Sequence, residues 1–164
     1  MKRGNVIYNL LAISLLVVTG LSSCGNIEKE MQEEEQALIK AYIEKNNVTV
    51  EPTATGLYYL EITPGTGSMP INGDTVGVYY KTKFLNGFIL DQHLEGVPYR
   101  FKLGNQESIP GIEEGIKLMR LFGKANLLIP SSQAYGRTGY LAVPGYTPLL
   151  IEVQLVSISP GLKK

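Results

Sequence analysis

The chain of 164 residues is long enough for one ordinary domain, and 44% of its residues are hydrophobic. Its 15 basic and 15 acidic side chains balance, which argues against the basic surface of a nucleic-acid-binding protein, so we expect no nucleic-acid partner. A single histidine and a single cysteine exclude a multi-histidine metal site, a zinc knuckle and a disulfide framework, so we expect no metal and no cofactor.

The first 23 residues have the features of an export signal. Two basic residues precede a mostly apolar run at 6–20, VIYNLLAISLLVVTG, which is too short to favour a transmembrane helix. The LSSC tetrapeptide that follows resembles the lipobox of bacterial lipoproteins, and this resemblance implies cleavage before Cys24 and lipidation of its thiol. Gly25 is not the acidic residue that suggests retention in the inner membrane, which favours the outer membrane or the periplasmic face. An uncleaved signal anchor with an unmodified thiol is the alternative.

A polar and acidic stretch at 25–47 predicts a short helix over residues 28–45. Apolar side chains recur there at helical spacing, at Leu38, Ile39, Tyr42 and Ile43. The stripe that they form is narrow, which favours a spacer between the membrane and the folded part over a helix that packs against it. Residues 48–55, which include Pro52, predict a linker.

From Gly56 the pattern changes to that of strands and turns. Alternating or short apolar runs predict five strands, at residues 57–62, 76–84, 99–103, 125–129 and 149–158. Asn86-Gly87 predicts a hairpin turn after the second of them. One helix is predicted from Ser108-Ile109-Pro110 to Gly123, with acidic Glu113 and Glu114 near its positive end. Its apolar stripe consists of Ile112, Ile116 and Met119.

These elements indicate an α+β fold, a curved antiparallel sheet wrapped around one short helix. With the N-terminal features, they divide the chain into three parts. We predict a signal peptide at 1–23, a lipidated N-terminus with an acidic helix and a linker at 24–55, and a folded domain at 56–164.

Few kinds of catalysis fit the residues available. His93 lies in a predicted polar loop, where a lone histidine is typical of solvated surface, and the sequence has no Gly-x-Ser-x-Gly elbow, Walker loop or dinucleotide fingerprint. What remains is a set of aromatic residues with one acid: Tyr80, Tyr99, Phe101, Tyr135, Tyr140 and Asp91. Composition alone favours the interpretation that these residues are simply core.

Order and spacing point further. From Gly56 to about Ile158 the chain resembles the FKBP-type peptidyl-prolyl cis-trans isomerase family. The matching segments are GLYYLEITPGTG, GDTVGVYYKTKFLNGFILD, PYRFKLGNQESIPGIEEGIKLM, GKANLLIPSSQAYG and LLIEVQLVSI. The block at 101–115, and Ile129-Pro130 followed by Tyr135-Gly136, are the most specific of these matches.

The resemblance implies an apolar pocket for a proline-containing peptide. It implies that Asp91 is a buried carboxylate, that Tyr80 and Tyr135 carry catalytic hydroxyls, and that the Ile109 N–H donates to a carbonyl of the bound peptide. The implied substrate-binding residues are Leu90, Tyr99, Phe101, Ser108, Ile112, Tyr140, Val143 and Ile151. Three of these depart from the family's usual aromatics: Ile112 at the floor, Leu90 before the acid and Ile151 on the last strand. The departures predict a wider and less aromatic pocket.

The resemblance therefore implies an isomerase that acts on Xaa-Pro bonds of exported proteins in the cell envelope, with weak binding of the family's macrolide ligands. A non-catalytic binding module or assembly chaperone that uses the same groove is the alternative, and a purely structural lipoprotein is a third. The retained polar residues favour catalysis, whereas the three departures favour binding.

Overall fold

The computed structural model describes residues 26–161, and the predicted signal peptide and Cys24 lie outside the described residues. Helix α1 occupies residues 26–45. The elements that follow are β1 (Tyr58–Thr63), β2 (Thr75–Phe84), β3 (Ile89–His93), β4 (Tyr99–Lys102), α2 (Pro110–Leu118), β5 (Lys124–Ile129), a 3-10 helix (Ser131–Gln133) and β6 (Leu149–Ser159). Within the part of the chain that is described, no helix is long and apolar enough to cross a membrane.

The six strands form one antiparallel sheet in the order β1-β5-β6-β2-β3, and β4 also pairs with β2. Strand β2 is long enough to have two partners on one side: β4 pairs with its first residues, from Thr75 to Val78, and β3 pairs with residues from Tyr80 to Lys83. The predicted hairpin turn joins β2 to β3, and Gly87 adopts a φ of 94° there. The predicted α+β fold, an antiparallel sheet with one short helix against it, is confirmed.

Helix α2 lies directly on β5. Ile116 is fully buried in the main core, and two glycines on the same helix allow the close approach. A Cβ atom at Gly111 would lie 2.4 Å from Ile129, and one at Gly115 would lie 2.5 Å from Leu127. Larger residues at these positions would push the helix away from the sheet, so the glycines set the distance between the two layers.

Helix α2 ends at Leu118, so the prediction that it continues to Gly123 is wrong. Beyond the helix, the backbone of Leu121 accepts hydrogen bonds from Thr66 and donates one to Ser68. The Phe122 N–H donates to Leu155 of β6 at 2.8 Å. These distant partners satisfy backbone groups that a longer helix would have satisfied locally, and the local pattern gave no sign of them.

Helix α1 covers the opposite face of the sheet. Leu127 and Ile129 of β5 belong to the main core, whereas Leu128 between them lies in a second buried cluster with Ile39 of α1 and Leu150 of β6. Successive side chains of a strand point to opposite faces, so α1 and α2 lie on different sides of the sheet.

The interpretation of the N-terminal helix as a spacer outside the folded domain is therefore wrong. Ile39 is only 5% exposed. A narrow apolar stripe is sufficient for this packing because the cluster on this face of the sheet contains only a few buried side chains. Helix α1 therefore packs against the sheet that follows it in the chain.

Candidate functional site

A cavity of about 390 Å³ opens between α2 and the face of the sheet on which α2 lies. Its lining consists of Val78, Tyr80, Thr82, Leu90, Asp91, Tyr99, Phe101, Ser108, Ile112, Tyr135, Tyr140, Leu141, Ala142, Val143, Ile151 and Val153. The structure thus brings together every predicted catalytic and substrate-binding residue except Ile109, which lines an adjoining groove.

The main polar contact of the cavity joins its acid to a tyrosine. The Tyr80 hydroxyl donates a hydrogen bond of 2.6 Å to Asp91 Oδ2, and the Gln92 N–H donates one of 2.8 Å to Asp91 Oδ1. Asp91 is exposed, so the expectation of a buried carboxylate is wrong. The reason is its place on β3, which is the end strand of the sheet order and leaves one side of the residue open to solvent.

A β-bulge explains how two consecutive residues both reach the cavity. Thr82 of β2 pairs with Asp91 and Lys83 pairs with Ile89, so Leu90 is the extra residue on β3. In a regular strand the side chains at 90 and 91 would point to opposite faces. The bulge re-aims them, and both line the cavity.

The environment of Tyr80 keeps its hydroxyl protonated. Burial, the hydrogen bond to Asp91 and the negative charge of that carboxylate raise the pKa of Tyr80 well above its ordinary value of 10.0. Burial, followed by the proximity of Tyr140 and Asp91, also raises the pKa of Tyr135. Both hydroxyls therefore keep their protons at neutral pH, and that of Tyr80 is donated to Asp91.

Aromatic rings form much of the rest of the cavity wall. Tyr80 and Tyr99 meet edge to face with ring centroids 5.7 Å apart, and Tyr99 lies 5.9 Å from Phe101. Tyr135 and Tyr140, which also line the cavity, stack with ring centroids 5.4 Å apart. Pairs of this kind hold one another in place, so the wall presents flat apolar surfaces to a ligand.

The three positions that depart from the family's aromatics all line the cavity. Ile112 is half-buried, whereas Ile116 one turn further along α2 is fully buried in the core. Leu90 is half-buried as well, and Ile151 is 1% exposed on β6. The floor and back of the cavity are therefore aliphatic.

Ile109 lies at the start of α2, where its backbone is extended, and its carbonyl accepts the first hydrogen bonds of the helix. None of the described residues accepts a hydrogen bond from the Ile109 N–H. The groove that Ile109 lines also includes Tyr99, Ser108, Ile112 and Tyr135. These four residues also line the cavity, and Ile109 is the chain neighbour of one of them, Ser108.

Sequence reasoning missed five residues of the lining: Val78, Thr82, Leu141, Ala142 and Val153. Three of them had a signal, because Val78 and Thr82 lie two residues from Tyr80, and Val153 lies two residues from Ile151. Side chains two apart on a strand share a face. Leu141 and Ala142 lie in the loop between Tyr140 and Val143 and had no such signal.

His93 is not the solvated loop residue that its sequence context suggested. It is the last residue of β3, and its ring stacks with those of Tyr79 and Tyr80. Its Nε2 atom lies 2.5 Å from the Val97 carbonyl oxygen. His93 therefore packs behind Tyr80 and outside the cavity. Among residues 26–161, no group of three or more histidine, cysteine or carboxylate side chains could hold a metal ion.

Comparison with known proteins identifies relatives over most of the chain. Residues 67–156 match the family described as FKBP-type peptidyl-prolyl cis-trans isomerase. The chain is 34% identical over 145 residues to the FKBP-type peptidyl-prolyl cis-trans isomerase FkpA of Escherichia coli strain K12, an alignment that covers 87% of this chain and 53% of FkpA. It is 38% identical over 120 residues to FK506-binding protein 4 of Dictyostelium discoideum, covering 71% of this chain and 33% of that protein. The chain thus spans about half the length of FkpA, and less of the second relative.

Solved structures agree with these matches. A peptidyl-prolyl cis-trans isomerase from Pseudomonas syringae pv. tomato is 31% identical and superposes with a TM-score of 0.70, covering 80% of this chain and 95% of that chain. The crystal structure of FkpA from Escherichia coli is 29% identical and superposes with a TM-score of 0.71, covering 98% of this chain and 74% of that chain. The chain therefore belongs to the FKBP-type peptidyl-prolyl cis-trans isomerase family.

Proposed function

We propose that this protein is a peptidyl-prolyl cis-trans isomerase that acts on Xaa-Pro bonds of exported proteins at the cell envelope. The observation that carries the proposal is the apolar cavity in which the Tyr80 hydroxyl is bonded to Asp91 at 2.6 Å, with Ile109 in the groove that adjoins it. Family membership supports the same reaction.

The reaction requires no nucleophile. Rotation about the Xaa-Pro bond interrupts amide resonance, with a barrier of about 18–20 kcal/mol, and the uncatalysed exchange takes roughly 10–100 s. The twisted amide has lost resonance, so its carbonyl oxygen carries less charge and is less dependent on water. A dry apolar cavity therefore disfavours the planar amide more than the twisted one, which lowers the barrier.

The polar residues orient the peptide within this cavity. The Ile109 N–H donates to a peptide carbonyl beyond the proline ring, and the Tyr135 hydroxyl donates to a second acceptor. Asp91 holds the Tyr80 hydroxyl in one direction, since it accepts that proton at 2.6 Å. A peptide fixed at two points leaves the prolyl bond as the one free to rotate.

A protease-coupled assay on a panel of Xaa-Pro peptides tests the reaction. We expect isomerisation well above the uncatalysed rate for the parent protein and for a Glu61→Gln control, because Glu61 is an exposed carboxylate of β1 outside the cavity. The variant Asp91→Asn should be slower than both. Rates for the parent equal to the uncatalysed rate would contradict the proposal.

The second candidate is a non-catalytic binding module that holds proline-containing segments in the same cavity. It is favoured by the aliphatic Leu90, Ile112 and Ile151 in place of aromatics, and by the exposure of Asp91. Such a module would bind Xaa-Pro peptides in a titration without accelerating their isomerisation. The same preparation can be used for both measurements, so the two candidates are distinguishable.

The location forms a separate part of the proposal. The LSSC tetrapeptide after the apolar run supports a lipid on Cys24, and each buried CH₂ of an acyl chain contributes about 0.8 kcal/mol to membrane binding. We expect Cys24→Ser to move the protein from the membrane fraction to the soluble fraction, or to leave it as an unprocessed precursor. Unchanged fractionation at the mature mass would contradict the anchor.

A further inference from the structure

The N-terminal helix makes a buried polar contact with the segment that carries Tyr135. Glu35 of α1 is 5% exposed and Ser131 is 4% exposed. The Ser131 N–H donates to Glu35 Oε1 at 2.5 Å, and the Ser131 hydroxyl donates to Glu35 Oε2 at 2.7 Å. The two residues are 96 positions apart in the chain. Both oxygens of a buried carboxylate are thus bound to a single residue.

Ser131 in turn holds the backbone on both sides of Tyr135. Its carbonyl accepts hydrogen bonds from the Ala134 N–H at 2.9 Å and from the Gly136 N–H at 2.8 Å. Tyr135 lies between these two donors, and its ring lines the cavity. A displacement of Ser131 would therefore move both attachment points of the tyrosine.

The burial of Glu35 and Ser131 keeps the contact between them intact. An unpaired carboxylate in this position would be costly, and so would an unpaired Ser131 N–H. Glu28 of α1 forms a second contact to the same segment, an ion pair of 3.2 Å with Arg137. That pair is largely exposed and contributes little on its own. Of these two contacts from α1, the one between Glu35 and Ser131 is therefore the stronger constraint on the segment.

From this geometry we infer that Glu35 is a positioning residue of the isomerase, which acts through Ser131 to place the Tyr135 hydroxyl at the cavity. The inference depends on the proposed function for its effect on rate. It assigns a role in the active site to α1, which precedes the segment matched to the family at 67–156.

The test compares three substitutions at the contact with one neighbour on the same helix. Glu35→Ala removes both acceptors and should lower kcat/KM three- to tenfold. Glu35→Gln should stay within twofold of the parent, because its amide oxygen accepts from the Ser131 N–H and the hydroxyl can turn to accept from its NH₂ group. Ser131→Ala keeps the backbone bond and should lower kcat/KM about twofold.

Ile39→Ala is the matched control, because Ile39 lies one turn further along α1, is buried with Leu128 and Leu150, and has no polar side-chain atom that could bond to Ser131. It should reduce stability but leave kcat/KM within twofold, at a temperature where all variants are folded. An equal loss of kcat/KM in Ile39→Ala and Glu35→Ala would overturn the inference, because both would then reflect general destabilisation.

A double-substitution cycle tests the route through Tyr135. In a Tyr135→Phe background, Glu35→Ala should cost less than twofold, because the hydroxyl that it positions is already absent. Independent, multiplying losses would overturn the inference.

Amide hydrogen exchange tests the positioning role of Glu35 independently of the proposed function. If the parent has no isomerase activity, the proposed function fails, and the contact is judged from the exchange of the Ala134 and Gly136 amides. Those amides should exchange faster in Glu35→Ala than in Ile39→Ala. Equal exchange in the two variants would overturn the positioning role.

Discussion

On one face of the sheet, α2 lies close over β5, and the buried residues there form the main core and the wall of the cavity. On the opposite face, α1 covers only a small cluster in which Ile39, Leu128 and Leu150 are buried. Helix α1 is longer than α2, yet fewer of its residues are buried. Two glycines of the short helix α2 allow it to lie close to the sheet. On α1, only Ile39 and Glu35 are buried, and Tyr42 and Ile43 are partly buried against the same small cluster.

The difference separates two kinds of contribution to one site. The α2 face supplies the core and the surfaces that a substrate touches. The α1 face supplies support from behind, through the contact between Glu35 and Ser131. Substitutions on the α2 face should therefore have the larger effects on stability or on the cavity itself, and those on the α1 face should have smaller ones.

The largest expected effect compares the same substitution on the two faces. Ile116→Ala in α2 should lower the free energy of unfolding by about 4 kcal/mol, and Ile39→Ala in α1 should lower it by about 2 kcal/mol. The first loss is larger because Ile116 is completely buried. Urea unfolding of both variants measures the difference. Equal losses would show that the two clusters are energetically one core.

The second prediction tests whether the polar residues of the α2 face serve the reaction and not the fold. Asp91→Ala and Tyr135→Phe should each lower kcat/KM about tenfold, since losing one oriented hydrogen bond costs on the order of 1–3 kcal/mol. The free energy of unfolding should change little, because Asp91 is exposed. Folded variants with activity within twofold of the parent would place the active site elsewhere.

The third prediction concerns the aliphatic floor. Ile112→Trp should raise affinity for macrolide ligands of the family up to tenfold and raise isomerase activity. An indole offers a flat face, and 40–60 Å² of added contact corresponds to about 1–1.5 kcal/mol at roughly 25 cal/mol per Å². Ligand titration of both forms measures the gain.

A thermal melt serves as the control for Ile112→Trp, because the larger ring risks overpacking against Leu90 and Ile151. A destabilised variant would show that neighbouring side chains already fill the floor. A stable variant that binds no better would show that Ile112 belongs to the core of the α2 face and not to its cavity.

The smallest expected effect is a loss of stability at alkaline pH. The folded protein raises the pKa of Tyr80 above the ordinary value of 10.0, so the folded state keeps this proton when the unfolded state loses it. The stabilising contribution is complete below pH 10.0 and is lost as the pH rises through the folded pKa. Urea unfolding at increasing pH should therefore show falling stability above that value, with a shallower fall in Tyr80→Phe. Identical slopes would contradict the coupling of Tyr80 to folding.

The family, the fold class and most of the cavity lining could be predicted from the amino-acid sequence. Motifs such as the block at 101–115 carry the family, and alternation along the strands places Tyr80 and Ile151 on the face that lines the cavity. These properties are local or are set by the order of segments. A period of two in the sequence translates directly into a shared face of a strand.

Tertiary structure decided the features that depend on partners far along the chain. The bulge at Leu90 depends on the register of β3 against β2, and the early end of α2 depends on hydrogen bonds from Leu121 and Phe122 to distant segments. A narrow apolar stripe gave no indication that α1 packs, although the unbroken run LLI in both β5 and β6 was a sign that both faces of the sheet are buried. In the sequence, Glu35 is one of several acids on a polar helix. Its hydrogen-bond donor, Ser131, lies 96 residues away, and no local pattern in the sequence identifies so distant a partner.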